Sequence, residues 1–262
     1  MPDVKMPAVQ RHKLILETVQ AEGFVTVPGM ADLCRVSEMT LRRDLDQLAE
    51  QNVLVRTHGG AVSLERSGGL TVDLVEPSVD ARATRNRAAK QAIARRAVQM
   101  IDPGTSIALD IGTSTFELAD LLQDVAVNIF TNSLKIAGHL SAATPDVYMP
   151  GGQVSGTEPS LIGARAAHYL NGYYFDIAFI GVSSLSTEGF FDYSLADAEI
   201  KRTLIARSEQ SVVLLDSSKF ERMSVALVAS MGEIDVLVTD ARPPEPLADA
   251  LADAGVRVEI AG

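Results

Sequence analysis

This 262-residue chain has a single cysteine. Cys34 alone excludes an internal disulfide and a multi-cysteine metal site, and it fits a reducing compartment. Its place among apolar neighbours favours a small buried hydrophobe. Long apolar runs are also missing. None approaches the roughly 18 residues of a membrane span, and the opening MPDVKMPAVQRHK is too polar for a signal peptide. A soluble, cytoplasmic protein without a membrane role is expected. Histidine is scarce: His12, His58, His139 and His168 are scattered and form no HxxxH or HExxH pattern. They read as surface, wing or helix residues rather than ligands, and no metal or cofactor is expected; no G-x-S-x-G elbow and no Walker A sequence occurs. Basic residues are outnumbered, 23 against 34 acidic, for a net charge of −11. Such a surface repels polyanions as a whole, and any DNA contact must come from a local basic patch.

What is present is enough apolar material for a real core: 47% hydrophobic residues against 22% charged. The length suggests two domains. The segment SLERSGGLTVDLVEPSVD, 63–80, lacks a sustained period and carries Ser67-Gly68-Gly69 and Pro77, so it reads as a linker. Residues 1–62 hold 7 basic and 8 acidic side chains, whereas 63–262 hold 16 and 26. Nucleic-acid contact therefore belongs in the first 62 residues.

Three helices are legible there. Residues 8–22 place Leu14, Ile15 and Val19 on one face, and Gly23 stops that helix. Val25-Thr26-Val27 is extended, and Pro28 suits the first turn of a helix carrying Met30, Leu33 and Cys34. Ser37 is a good N-cap for SEMTLRRDLDQLAEQ, in which Leu41, Leu45 and Leu48 face a core. Ser37 and Glu38 lie at the start of this helix, with Thr40, Arg43 and Gln47 on another face and Arg42 beside them. This is a helix-turn-helix layout whose second helix can enter the major groove, where arginine donates to guanine and hydroxyls reach bases or phosphates. VLVRTHGGAV, 53–62, reads as a hairpin turned by Gly59-Gly60, a wing carrying Arg56 and His58. Two arginines on a helix are most often a solvated face. The combination of cap, helices, arginines and wing is what points to DNA.

Beyond residue 80 strands and helices alternate. Strands are expected at 106–111, 127–131, 146–151, 176–181, 210–216 and 235–240, and helices at 85–100, 113–122, 133–142, 160–171, 195–208 and 245–254. This alternation predicts a mostly parallel sheet covered by helices, with ligands bound outside the C-terminal strand ends. Polar clusters fall at those ends. Asp110-Ile111-Gly112-Thr113-Ser114-Thr115 opens a helix and suits a phosphate. Thr131-Asn132-Ser133, Gly151-Gly152 and Asp216-Ser217-Ser218-Lys219 end three further strands.

The stretches RHKLILETV, VSEMTLRRDLDQL and VRTHGGAV resemble the DNA-binding domain of DeoR-type transcriptional regulators. Arg11, Ile15, Val19, Ser37, Thr40, Leu41, Arg42, Arg43, Asp44 and Leu45 fall at the spacing of that family's signature. Pro28-Gly29 departs from its usual acidic or polar helix formers, which favours a later or weaker start for the second helix. Arg35 stands where a small turn residue is common. LDIGTST, FTNSLKIAGHL, MPGGQVSGTEPSLIGARA, DIAFIGVSSLSTEGF, AEIKRTLIARS and LLDSSKF resemble the same family's effector-sensing domain. The resemblance implies a small N-terminal winged helix-turn-helix domain (1–62), a linker (63–80) and an α/β sensor and oligomerisation domain (81–262), the last similar in fold to sugar-phosphate isomerases and CoA transferases. It implies a regulator of sugar or carbon metabolism genes, most often a repressor. Its partners would be double-stranded operator DNA, a phosphorylated sugar or related metabolite, and further copies of the chain in a dimer or tetramer. The implied effector pocket comprises Asp110, Gly112, Thr113, Ser114, Thr131, Asn132, Gly151, Gly152, Glu199, Lys201 and Lys219. The alternative is a sugar-phosphate isomerase with an attached regulatory domain. The first 62 residues, which an isomerase does not need, argue against it.

Overall fold

The computed structural model describes residues 6–22, 24–51, 53–56, 60–63, 71–72, 77–155 and 158–262. The chain divides into two compact units, Met1–Val75 and Glu76–Gly262. Among the described residues, no helix is long and apolar enough to cross a membrane.

The small unit runs α1 (Ala8–Glu22), β1 (Phe24–Thr26), α2 (Val27–Cys34), α3 (Glu38–Glu50), β2 (Leu54–Arg56) and β3 (Gly60–Ser63), with a two-residue strand β4 (Thr71–Val72) near its end. Helical spacing places Ile15 and Val19 of α1, Met30, Ala31 and Cys34 of α2, and Leu41, Leu45 and Leu48 of α3 in one core. Each fully buried aliphatic there contributes about 1.5–3 kcal/mol. The three strands pair antiparallel in the order β1-β3-β2. Gly60 belongs to β3, with Thr26 of β1 as its partner, so it is a strand residue. A Cβ on Gly60 would lie 1.8 Å from the Val25 carbonyl oxygen, so the close strand approach requires glycine. Gly23, His58 and Gly59, read from the sequence as a helix stop, a wing residue and a turn residue, lie outside the described residues.

α2 begins at Val27 with Pro28 and Gly29 in its first turn, earlier than the departure from the family pattern favoured. Thr26 explains this. Its Oγ1 accepts a hydrogen bond from the Gly29 N–H at 3.2 Å, satisfying an orphan donor at the helix start. α2 ends on Arg35 in the left-handed region, at φ 53° and ψ 47°. That conformation costs a side-chain-bearing residue about 1–2 kcal/mol, part of which glycine loses again in unfolded-chain entropy. Arg35→Gly should therefore stabilise the small unit by roughly 0.5–1 kcal/mol in a denaturant titration. An unchanged or lowered midpoint would contradict this.

The large unit opens with α4 (Val79–Thr84) and α5 (Arg87–Ala97), continues through β5 (Ser106–Leu109), α6 (Thr113–Leu121), β6 (Asn128–Thr131), α7 (Leu134–Leu140) and β7 (Asp146–Tyr148), and then forms a hairpin of β8 (Gln153–Ser155) and β9 (Ser160–Ile162). Next come α8 (Ala164–Asn171), β10 (Phe175–Gly181), β11 (Ser184–Ser186), β12 (Gly189–Asp192), α9 (Leu195–Ala206), β13 (Ser208–Leu214), β14 (Arg222–Met223), β15 (Ala226–Ala229), β16 (Val236–Thr239), α10 (Glu245–Asp253) and β17 (Arg257–Ile260). Seven of these strands form one parallel sheet in the order β17-β16-β13-β10-β5-β6-β7. Strand alternation fills both faces. Ile107, Leu109, Ile177, Phe179, Val212 and Leu214 pack with α5, α6 and α7. Ala108, Ala178, Ile180 and Val213 pack with α8, α9 and α10. The inner strands of a sheet covered on both sides have no wet face, which is why they read as continuous apolar runs, while the edge strands β7 and β17 are partly exposed.

Two expected helices differ. The stretch 85–100 is broken at Arg85-Asn86, where Asn86 has φ 53°, so helix begins afresh at Arg87. Of 160–171 only 164–171 is helical, because 160–162 pair with 153–155.

Candidate functional sites

α3 presents its polar face to solvent. Ser37 caps it, its Oγ accepting from the Thr40 N–H at 3.2 Å, and the two hydroxyls lie 2.9 Å apart. Glu38, Arg42, Arg43 and Gln47 are exposed, and Thr40 is half-buried. Arg42 makes a 3.3 Å ion pair with Glu38 one turn back. Such an exposed pair contributes only about 0.3–0.5 kcal/mol and is easily broken. Arg43 has no ion-pair partner among the described residues. Arg56 lies at the end of β2, and its side chain is outside the described atoms.

The back of α3 is tied down by a pair that pattern reasoning left unassigned. Asp44 is buried and takes two bonds from Arg11 of α1, at 2.6 and 2.8 Å, with His12 at 3.2 Å. Burial raises the Asp44 carboxyl, but the Arg11 and His12 bonds outweigh it and hold the group below the usual carboxylate range. This bidentate fork sets the rotation of α3 about its axis, and so fixes which side chains face outward.

The second site follows from topology. From β5 the chain adds β6 and β7 on one side, then returns to lay β10, β13, β16 and β17 on the other. The crevice between the C-terminal ends of β5 and β10 is therefore the switch point, where open α/β sheets bind ligands. Asp110 lies there, fully buried. Its Oδ2 accepts from the Gly181 N–H at 3.1 Å and from Lys201 Nζ. Lys201 also bonds the Gly181 carbonyl at 2.8 Å and Asp192 at 3.2 Å. A Cβ on Gly181 would lie 2.8 Å from the Ile111 carbonyl oxygen, so glycine lets the β5 and β10 ends close on each other. Burial pushes the Asp110 carboxyl up to about 7, with Lys201 opposing. Burial works against the Lys201 ammonium, but Asp110 and Asp192 outweigh it and raise its pKa. Asp110 Oδ1 and Asn132 Oδ1 are buried without a hydrogen-bond partner among the described residues. Orphaned acceptors of this kind mark places where a donor belongs.

The expected effector residues separate into groups. Gly112, with φ 147°, leads into α6 without a side-chain cap, and Thr113 and Ser114 are buried in the first helical turn. Thr131 and Asn132 are buried at the end of β6, where Thr131 Oγ1 accepts from the Ser133 N–H. Gly151 and Gly152 follow β7 and are exposed. Lys219 follows β13 and donates to the Val182 carbonyl just beyond β10 at 2.7 Å. Desolvation lowers Lys219 to about 8, against the pull of Asp216. Glu199 stands apart, exposed on α9 two residues before the sealed Lys201. Gly181 and Asp192 were missed. The glycine was visible at the end of DIAFIG, but Asp192 ends a strand too short to show a period.

Family models match both units of the chain. The DeoR-like helix-turn-helix domain matches residues 11–67, and the DeoR C terminal sensor domain matches 85–241. The glycerol-3-phosphate regulon repressor of Escherichia coli K12 is 31% identical over 258 residues, 97% of this chain and 100% of that one. The uncharacterised HTH-type transcriptional regulator YgbI of the same strain is 31% identical over 258 residues, 98% and 99% of the two chains. Among solved structures, a D-ribose-5-phosphate isomerase in complex with phospho-erythronic acid is 15% identical and covers 51% of this chain and 54% of that one, with a TM-score of 0.40. That likeness is too loose to speak to chemistry. With a helix-turn-helix reader and a sensor domain matched along nearly the whole sequence, this chain belongs to the DeoR family of DNA-binding transcriptional regulators.

Proposed function

We propose that this protein represses genes of sugar or related carbon metabolism and that a phosphorylated sugar-type metabolite controls it from the switch-point crevice. It would act in the cytoplasm, as a homo-oligomer that sets two α3 helices on repeated half-sites. Ser37, Glu38, Thr40, Arg42, Arg43 and Gln47 would face the major groove, with Arg56 and His58 of the wing on the backbone or minor groove. The observation that carries the effector half is the convergence of the uncapped α6 N-terminus, the orphaned Asn132 oxygen and Lys219 on one end of the sheet. Backbone N–H groups of Gly112, Thr113 and Ser114 would hold the phosphate, with Lys219 as its cation. Thr131, Asn132, Gly151 and Gly152 would line the sugar side. Lys201 and Asp110 form the floor. Their charges are spent on each other, which favours a sensor over a catalyst. The relative named for glycerol 3-phosphate supports a phosphate monoester as ligand.

The experiment is a thermal-shift screen of sn-glycerol 3-phosphate, ribose 5-phosphate and hexose phosphates, repeated as binding to the protein's own upstream DNA. A hit that also alters DNA affinity supports the reading. Steady turnover of a sugar phosphate would support the isomerase instead.

The pH dependence has a definite sign. Lys219 titrates at about 8 without ligand, and a phosphate dianion beside it favours the ammonium. Binding above that pH must take up a proton, so affinity falls as pH rises beyond about 8. It also falls below roughly 6, where a phosphate monoester gains its second proton. Calorimetry from pH 5 to 9.5 should show this window, and Lys219→Ala should lose the alkaline limb while metabolite-free DNA binding is kept. An affinity flat across pH 7 to 9.5 would contradict the assignment.

A further inference from the structure

α4 lies outside the crevice residues described above. None of its six residues is buried. Helices shorter than about 12 residues do not hold themselves in water, so α4 keeps its place through contacts to its surroundings. Val79 and Ala83 are half-buried, and polar tethers add to that packing. Arg82 pairs with the buried Glu158 at 3.1 Å. The carbonyls of Arg82 and Arg85, at the C-terminal end of α4, both accept from the buried Lys90 Nζ, the latter at 2.9 Å. Asn86, at the joint between α4 and α5, donates to Asp216 Oδ1 at 2.8 Å.

Both tethers end on the crevice wall. Asp216 begins the turn that carries Lys219, and the same Oδ1 accepts from Ser218. Glu158 leads into β9, whose Leu161 N–H bonds the Asn132 carbonyl at 2.8 Å. Lys219 and Asn132 are the side chains assigned above to the phosphate and the sugar. In sequence, α4 starts three residues after the large unit begins at Glu76, next to the chain leading from the DNA-reading unit. A dianion at Lys219 changes the charge facing Asp216, and a donor at Asn132 loads the corner that supports Glu158.

We infer that α4 is a strap, held by Asn86–Asp216 and Arg82–Glu158, through which occupancy of the crevice is passed to the DNA-reading unit. The inference rests on the effector reading above. Asn86 and Glu158 are positioning residues: they touch neither DNA nor ligand, and removing them uncouples the two sites. Coupling of this kind needs only a differential affinity of the effector for the held and released states of α4.

The test uses the full-length chain as wild type, Asn86→Gly and Glu158→Gln. Glycine keeps the positive φ of Asn86 while deleting the amide, and glutamine keeps the shape of Glu158 while deleting its charge. Affinity for the upstream DNA is measured at fixed salt, with and without sn-glycerol 3-phosphate or inorganic phosphate, and probe binding is followed separately by calorimetry. Both variants should shift ligand-free DNA affinity by about fivefold or more. Their ratio of DNA affinities with and without probe should lie within about twofold of one, and their probe affinity within about threefold of wild type. DNA affinity and ratio equal to wild type in both variants would overturn the strap. A wild type that binds neither probe would overturn the phosphate assignment in the crevice, and the strap with it, whereas a wild type whose DNA affinity responds to a bound probe alongside variants that respond equally would overturn the strap alone.

Discussion

Lys201→Met should cost the large unit about 3–5 kcal/mol of stability, the typical penalty for removing one partner of a buried ion pair. Lys201 is 1% exposed and its ammonium serves Asp110, Asp192 and the Gly181 carbonyl. Methionine fills much of the same volume, so the loss is electrostatic rather than a cavity. Asp110 would be left as a buried carboxylate with no cation beside it. Two controls separate this from general damage. Asp110→Asn added to Lys201→Met removes the stranded charge and should recover a large part of the loss. The single variant should also lose less at acid pH. A carboxyl whose folded pKa is raised above its ordinary 3.8 prefers to be protonated in the fold. In the wild type that value is already about 7, so below it both proteins hold the carboxyl protonated and the extra deficit of the variant opens as pH rises through about 7. Urea titrations at pH 5 and pH 8 should show the larger deficit at pH 8. A deficit under about 1 kcal/mol at both would mean that the pair does not anchor the crevice floor.

Arg43→Ala and Arg42→Ala should each weaken operator binding by about 1–3 kcal/mol where the arginine reads a base, and should relax sequence preference at that position. An arginine that meets only phosphate weakens all sequences alike and lowers the salt slope by about one. Stability should hardly move. Arg42 has only its exposed Glu38 pair to lose, and Arg43 has no ion-pair partner among the described residues. That contrast is diagnostic, because a structural role would move the melting midpoint instead. Anisotropy titrations at two salt concentrations measure both quantities. Unchanged binding in both variants would remove α3 from the groove.

Much of this was legible from residue order, for physical reasons that vary by element. The helical register of Leu41, Leu45 and Leu48 and the Ser37 cap located α3 to within a residue, because an amphipathic helix with a side-chain cap writes its boundary into the sequence. β5, β6, β10, β13 and β16 were legible because burial on both faces makes each an apolar run, whereas β17, partly exposed at the sheet edge, was not read. Adjacency in space was not. Nothing in sequence order places Asp192 beside Asp110, or Asn86 beside Asp216, 130 residues away. Glu199 and Lys201 illustrate the same limit. They are two residues apart on one helix, yet one is exposed and the other sealed, since positions separated by two on a helix point about 160° apart. β9 was read as the start of a helix and β8 was not read at all, because three-residue strands show no period of their own.

In the proposed division of labour, α3 reads DNA and the crevice between β5 and β10 senses a phosphate monoester. The most direct measurement titrates the full chain against its own upstream DNA at physiological salt, in the presence of phosphorylated sugars and of the same sugars without phosphate. Binding that exceeds that to scrambled DNA, and that changes with at least one phosphorylated sugar but with no free sugar, is the predicted result. Equal affinity for upstream and scrambled DNA, indifferent to every sugar phosphate, would contradict it.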